Sequence, residues 1–160
     1  MKKIFLVIAI ALSVATNAQV TSVFLQASGL TCSMCSNSIN KALKTLDFVL
    51  KVDADIKTYT FEIAFKPNAN VDFDMIKEKV EKAGFTVTSF VATIVVNNIQ
   101  VIDGQPVIIE DKTFLFVNVK GQPLNGVTKV KVLNKGFVSD KESRKNSFRA
   151  LSPRTYHATI

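Results

Sequence analysis

Tryptophan is absent from the sequence, histidine occurs once, at position 157, and there are two cysteines, four prolines and two tyrosines. Each shortage excludes something. One histidine and two cysteines cannot build the four-ligand Cys/His shell of a structural zinc site within one chain. A Ser–His–carboxylate or Cys–His nucleophile has only His157 to draw on, and that residue sits in RTYHATI, which reads as a strand. No catalytic constellation is legible, so a non-enzymatic chain is expected. Phosphate cradles are also missing. DGQPV (103–107) and KGQPLNG (120–126) are turns and do not lead from a strand into a helix. The apolar run Ile4–Val14 is shorter than the roughly 20 residues a membrane span needs.

That run belongs to MKKIFLVIAIALSVATNAQV, which has the three parts of a secretory leader. Lys2 and Lys3 form a basic start, Ile4–Val14 an apolar middle, and Thr16-Asn17-Ala18 a small-residue exit. Residues 1–18 are therefore expected to be a signal peptide cleaved after Ala18. No cysteine sits just after that point, so lipid anchoring is not expected. The remaining chain is expected to be soluble, periplasmic or secreted, and not an integral membrane protein.

Charge is unevenly divided along the rest. Residues 19–90 carry eight lysines and eight acids, whereas residues 91–160 carry ten Lys plus Arg against five acids. A basic half can meet an anionic partner or simply be a solvated face, and an exported protein seldom meets nucleic acid. No nucleic-acid role is expected.

The two halves also differ in periodicity. Ser22–Ala27 reads as a strand, and Ile39, Leu43 and Leu46 fall at helical spacing. Leu50, Val52 and Ala54 alternate with polar residues, and Tyr59, Phe61, Ile63 and Phe65 alternate more clearly still. Asp72 is placed to cap a helix buried through Ile76, Val80 and Ala83, which Gly84 ends; Thr86–Val91 is then a fourth strand. The order βαββαβ predicts a ferredoxin-like α+β domain over residues 19–90, with both helices on one face of an antiparallel sheet. Beyond Val91 short β-branched and aromatic runs alternate with turn signals: 92–96, 100–102, 107–109, 114–119, 127–133 and 156–160. These predict a small all-β domain over residues 91–160, with an OB-like barrel as the expected form and Asp140–Ser147 as a short helix or loop. The boundary is placed near Phe90–Val91, with no Gly/Pro/Ser linker between the halves.

Both cysteines lie in GLTCSMCSNSI, between a predicted strand ending near Ala27 and a helix beginning near Cys35. The free N–H groups of a helix start carry partial positive charge and favour thiolate, the form that ligates metal or attacks a disulfide. Gly29 permits a tight path into the loop, Leu30 can plug it onto the core, and Ser36 and Asn37 offer polar groups to the first turn. Cys32 and Cys35 can hold a soft metal, cycle as a redox pair, or close a disulfide.

The segment GLTCSMCSNSINKALKTL, with AGF at Ala83-Gly84-Phe85, resembles the heavy-metal-associated domain family. That family includes copper chaperones, a periplasmic mercury-binding protein and the amino-terminal modules of copper-transporting ATPases. The resemblance covers residues 20–90; the C-terminal part resembles no family we recognise. Gly29, Thr31, Cys32 and Cys35 match the family's Gly-Met-Thr-Cys-x-x-Cys loop, with Leu30 in place of methionine, a volume-conserving exchange. Phe48-Val49 stands where Gly-Val is usual.

The resemblance implies a βαββαβ fold and a metal held by Cys32 and Cys35, with Thr31, Met34 and Phe85 as supporting residues. Met34 can lend a thioether or simply face outward, and Phe85 can shield the loop from water. Two thiolates suit Cu(I) or Hg(II), which accept near-linear sulfur coordination, while Zn(II) calls for four ligands. Cu(I) is the first expectation, with Hg(II) and Zn(II) as alternatives, and metal transfer to a protein partner (a transporter or a copper target) as the activity. Thioredoxin-like exchange fits less well, because such sites usually carry an aromatic before the first cysteine and Thr31 stands there. The competing reading is an envelope interaction module whose β-domain binds a partner and whose cysteine pair is an oxidised, structural disulfide, as an oxidising compartment favours.

Overall fold

A computed structural model describes residues 18–30, 33–146 and 152–160. The leader up to residue 17 lies outside these residues, as do Thr31, Cys32 and Arg149.

The first six elements are β1 (Gln19–Ser28), α1 (Ser33–Leu43), β2 (Val49–Asp55), β3 (Thr60–Phe65), α2 (Phe73–Lys82) and β4 (Thr86–Val101). This is the βαββαβ order that the periodicities predict. Ile39 and Leu43 seat α1, and Ile76 and Val80 seat α2, all fully buried. Asp72 caps α2 by accepting the Met75 N–H at 3.1 Å. Gly84 closes the same helix at φ +91°, a backbone shape that side-chain-bearing residues avoid.

The strands β2-β3-β1-β4 lie in that order, each neighbouring pair antiparallel. β3 buries Phe61, Ile63 and Phe65 and exposes Glu62, as alternation requires. Tyr59 falls just outside it, at φ 54° in the preceding turn. β2 departs from simple alternation. Its register shifts between Val49 and Lys51, so Val49 and Val52 are buried while Leu50 is turned out to solvent.

Beyond Val91 the strands do not close into a barrel. β4 runs straight through Phe90–Val91 for 16 residues, and its outer half pairs with β7 (Gln122–Val132). β5 (Pro106–Ile109), β6 (Lys112–Phe116) and β8 (Thr155–Thr159) extend the same sheet to the order β2-β3-β1-β4-β7-β8-β6-β5. The OB-like expectation is thus replaced by an open, eight-stranded sheet in which β2 and β5 are the outer edges. β6 and β8 pair in parallel, the other described pairs antiparallel. The segment expected as helix or loop is a short helix, α3 (Asp140–Asn146). Among the described residues no helix is long and apolar enough to cross a membrane.

Helix α2 joins the two halves. Phe73, on its first turn, stands 4.9 Å from the Phe90 ring and 5.2 Å from Tyr156, and Tyr156 meets Phe137 at 5.6 Å. Such pairs add about 0.5–1.5 kcal/mol each beyond the area they bury. Around this cluster Tyr156 Oη donates to Asp74 at 2.9 Å, and Arg154 pairs with Asp72 and Asp111. Lys112 is fully buried, reaching Asp111 at 2.6 Å and Glu110 at 3.2 Å. The buried residues of both halves form one core cluster.

Candidate metal centre

Strand β1 delivers the chain to the cysteine loop at Ser28, and Gly29 turns it at φ +88°. A side chain there would strain the backbone. Leu30 follows, 6% exposed, and anchors the loop entrance to the core as expected. α1 begins at Ser33, two residues earlier than the sequence reading placed it, so Cys35 sits within its first turn. Cys35 is half-buried and packs against the core cluster. The first turn carries no acidic side chain to offset the partial positive charge of its N–H groups. Cys32 and Thr31 lie outside the described residues.

Met34 is 78% exposed, facing away from the core beside Cys35. Phe85 is brought to the loop by the end of α2, next to Thr86, which pairs with Ser28. α2 ends through the Gly84 N–H to Glu81 bond at 2.9 Å and the Phe85 N–H to Val80 bond at 3.2 Å. The half-buried Phe85 ring then lies against the turn: a Cβ placed on Gly29 would stand 3.7 Å from Phe85 Cδ1. The position fits a shield over the loop entrance.

Ser36 is where the sequence reading missed. It was expected to serve the open N–H groups of the first turn, but it is 2% exposed and its Oγ finds no hydrogen-bond partner among the described residues. The signal was present in the spacing, since Ser36 lies three residues before Ile39 and seven before Leu43, on the apolar stripe. Asn37 is exposed.

His157 lies in β8, three strands across the sheet from β1, and is a strand residue as expected. Its backbone N–H donates to Asn134 Oδ1 at 2.6 Å and its carbonyl accepts the Leu133 N–H at 2.8 Å. Burial lowers its pKa from the ordinary value of 6.5. Among the described residues, no three His, Cys, Asp or Glu side chains gather as a metal shell. A cavity of about 410 Å³ opens at the far end of β1, beside Gln19, Glu110 and Asp111. Its carboxylates are engaged by Lys112 and Arg154, and it takes no part in the cysteine loop.

The donor chemistry fits a soft ion better than a hard one. A cysteine on an exposed first turn, with a thioether beside it and no carboxylate in the turn, supplies sulfur rather than oxygen.

Residues 24–86 match the family model of the heavy-metal-associated domain, and this stretch of the chain is such a domain. A probable copper-transporting ATPase of Arabidopsis thaliana, HMA5, is 40% identical over 60 residues, which are 38% of this chain and 6% of the ATPase. The copper-transporting ATPase of Saccharomyces cerevisiae is 38% identical over 63 residues, 39% of this chain and 6% of that protein. The chain thus spans only a small fraction of these relatives. Among solved structures, the yeast copper transporter domain Ccc2a, studied in its apo and Cu(I)-loaded states, is 34% identical; the match covers 42% of this chain and 90% of that domain, with a TM-score of 0.37.

Proposed function

We propose that the chain is an exported, non-enzymatic protein that binds Cu(I) through Cys32 and Cys35 and passes it to a protein partner. The observation that carries this reading is the placement of Cys35 on the first turn of α1, after the Gly29 turn, inside a stretch that matches the heavy-metal-associated domain. The leader-like residues 1–18 support export to a periplasm or medium. The copper-transporting ATPases among the relatives support copper over Hg(II) or Zn(II).

In this reading each cysteine gives up its proton as its sulfur takes the ion, and the ion keeps its +1 charge throughout. Transfer proceeds by ligand exchange. A partner thiolate joins as a third sulfur, one of the two cysteines leaves and takes up a proton, and a second exchange completes the handover. The exposed Ser33 and Met34 beside Cys35 suit that sequence, because the incoming sulfur must reach the ion while both original ligands still hold it.

The test is a competition for Cu(I) between the reduced protein and a high-affinity chelator, followed by the chelator's colour. One ion retained per chain, and none in the Cys32→Ser/Cys35→Ser variant, is the expected outcome. Equal, weak competition by wild type and variant would sink the copper reading. Counting free thiols on protein taken directly from the cell envelope then separates a working dithiol from the oxidised, structural pair of the competing reading.

A further inference from the structure

The segment that follows β7 returns to the end of the sheet that carries the cysteine loop. Ser139 N–H donates to the Thr88 carbonyl at 3.1 Å, just before α3 begins. Thr88 Oγ1 donates in turn to the Gln26 carbonyl at 3.2 Å, and Thr86 pairs with Ser28, the residue before Gly29. The root of α3 is therefore two residues along β4 from the loop's own strand pair, about 7 Å. A second anchor fixes the segment against α2. Lys77 Nζ lies 5.2 Å from the centre of the Phe137 ring. Gly136, at φ +90°, approaches so closely that an added Cβ would stand 3.1 Å from Lys77 Cδ and 3.7 Å from Glu81 Oε1. This is the same helix whose end delivers Phe85 to the loop.

The segment brings charge with it. Lys135, Lys141 and Lys145 are exposed, as is Arg144 on the same helix. Of its acids, Glu142 is engaged by Lys131 at 2.7 Å, which leaves Asp140 as the exposed one. The neighbouring helix α2 adds no comparable excess, because Lys82 pairs with Glu78 at 2.6 Å and Lys77 with Asp74 at 3.5 Å. On α1 and the β2–β3 turn, Met34 and Ile56 are exposed, at 78% and 49%. The same turn carries Asp55 and Lys57, which balance in charge, so exposed apolar side chains lie on this side and the root of the cationic segment lies on the β4 side. A protein interface has this anatomy, and a one-sided charged rim fixes orientation and speeds encounter. An anionic lipid surface would need only the cations.

We propose that α3 and the turn before it form the cationic half of a docking surface for a protein that presents an acidic face next to its own metal-binding thiols. The proposal rests on the Cu(I)-transfer reading and gives the C-terminal half a role in it: that half supplies the charge that orients the partner over the loop. Such steering acts within a Debye length of roughly 10 Å and weakens as salt rises.

The test uses the full chain loaded with Cu(I), its Lys135→Glu/Lys141→Glu/Lys145→Glu variant and a milder Lys→Gln version. The probes are a purified acceptor domain with a reduced Cys-x-x-Cys loop and an acidic face, the same acceptor with that face neutralised, and phosphatidylglycerol vesicles. Wild type should transfer to the acidic acceptor on the order of 10-fold faster than to the neutralised one at low salt. High salt and the charge-reversed variant should each remove that advantage, while retention against the chelator stays unchanged. Equal rates for wild type and both variants, equal rates for both acceptors, or lysine-dependent binding to the vesicles without preference for the acidic acceptor would each overturn the proposal. Calorimetric titration of the metal-free proteins keeps the two readings apart. Salt-sensitive binding to the acidic acceptor upholds the docking surface even if Cu(I) retention fails, and its absence overturns it even if Cu(I) is held.

Discussion

Phe85 and Gly29 meet at the entrance of the cysteine loop, with 3.7 Å between Phe85 Cδ1 and the position a Gly29 Cβ would take. One residue comes from the end of α2 and the other from the end of β1, so the entrance of the loop is covered by a ring from outside its own strand and helix. If the ring keeps water and oxidant from the sulfurs, Phe85→Ala should leave a folded protein whose reduced cysteines reoxidise faster in air. Cu(I) should also pass more quickly to a chelator. The ring is only half-buried, so the stability loss should fall below the 3–5 kcal/mol of a fully buried Phe→Ala change, at roughly 1–2 kcal/mol. Thiol counting over time decides the matter. Unchanged oxidation and release rates in the variant would remove Phe85 from the working part of the site.

Ser36 yields a prediction of opposite sign. Its Oγ is buried without a partner among the described residues, and leaving a hydroxyl in that state costs about 1–3 kcal/mol. Alanine removes the oxygen, leaves little void, and has the higher helix propensity. Ser36→Ala should therefore raise unfolding stability by about 1 kcal/mol or more, read as an upward shift in the urea midpoint with no change in slope. A loss of stability would mean that the hydroxyl has a partner in solution, and the loop sulfurs would be the first place to look for it.

The continuous sheet makes a claim about cooperativity. β4 serves both halves, and Phe73 and Phe90 share their contacts with Tyr156 and Phe137. We expect one unfolding transition, with probes in the cysteine-loop half and in β8 melting together. Tyr156→Phe deletes the hydrogen bond to Asp74 and should lower stability by about 1 kcal/mol, Asp74 being open enough to solvent to be rehydrated. That loss should appear equally at a probe in the first 90 residues. Two separated transitions, or a loss confined to the C-terminal probe, would instead establish two independent folding units split near Phe90–Val91.

How far the sequence went is visible in individual residues. The alternation of Phe61, Ile63 and Phe65, the Asp72 cap and the Gly84 stop are local signals, and each marks the element that forms there. The cysteine loop stands out as a motif for the same reason, since Gly29, Cys32 and Cys35 lie within seven residues of one another. What escaped was nonlocal. Nothing in Ala92–Val101 states that β4 will take β7 as its second neighbour, or that β8 will run parallel to β6. A barrel and an open sheet are built from the same alternating strands, and the difference lies in whether the last edge finds a partner. The return of Ser139 to Thr88 is likewise a contact between residues far apart in the chain, and no spacing rule reaches that far.

His157 provides a pH test of the β8 packing. Burial holds its pKa below 6.5, so the folded state favours the neutral ring more than the unfolded chain does. Between the folded value and 6.5 the unfolded chain binds the extra proton, and stability therefore rises with pH through that window. The contribution is complete above about pH 6.5 and is lost as the pH falls below it toward the folded value. Urea denaturation at pH 7.5 and at successively lower values down to 5.5 should show a declining midpoint. His157→Gln should flatten that decline while sharing whatever slope the carboxylates contribute. Because β8 stands three strands from β1, the same substitution should leave Cu(I) retention at the cysteine loop untouched. A His157→Gln protein with an unchanged pH slope would place the ring in solvent rather than in the sheet. A variant that lost Cu(I) while keeping its fold would make His157 part of the metal centre after all.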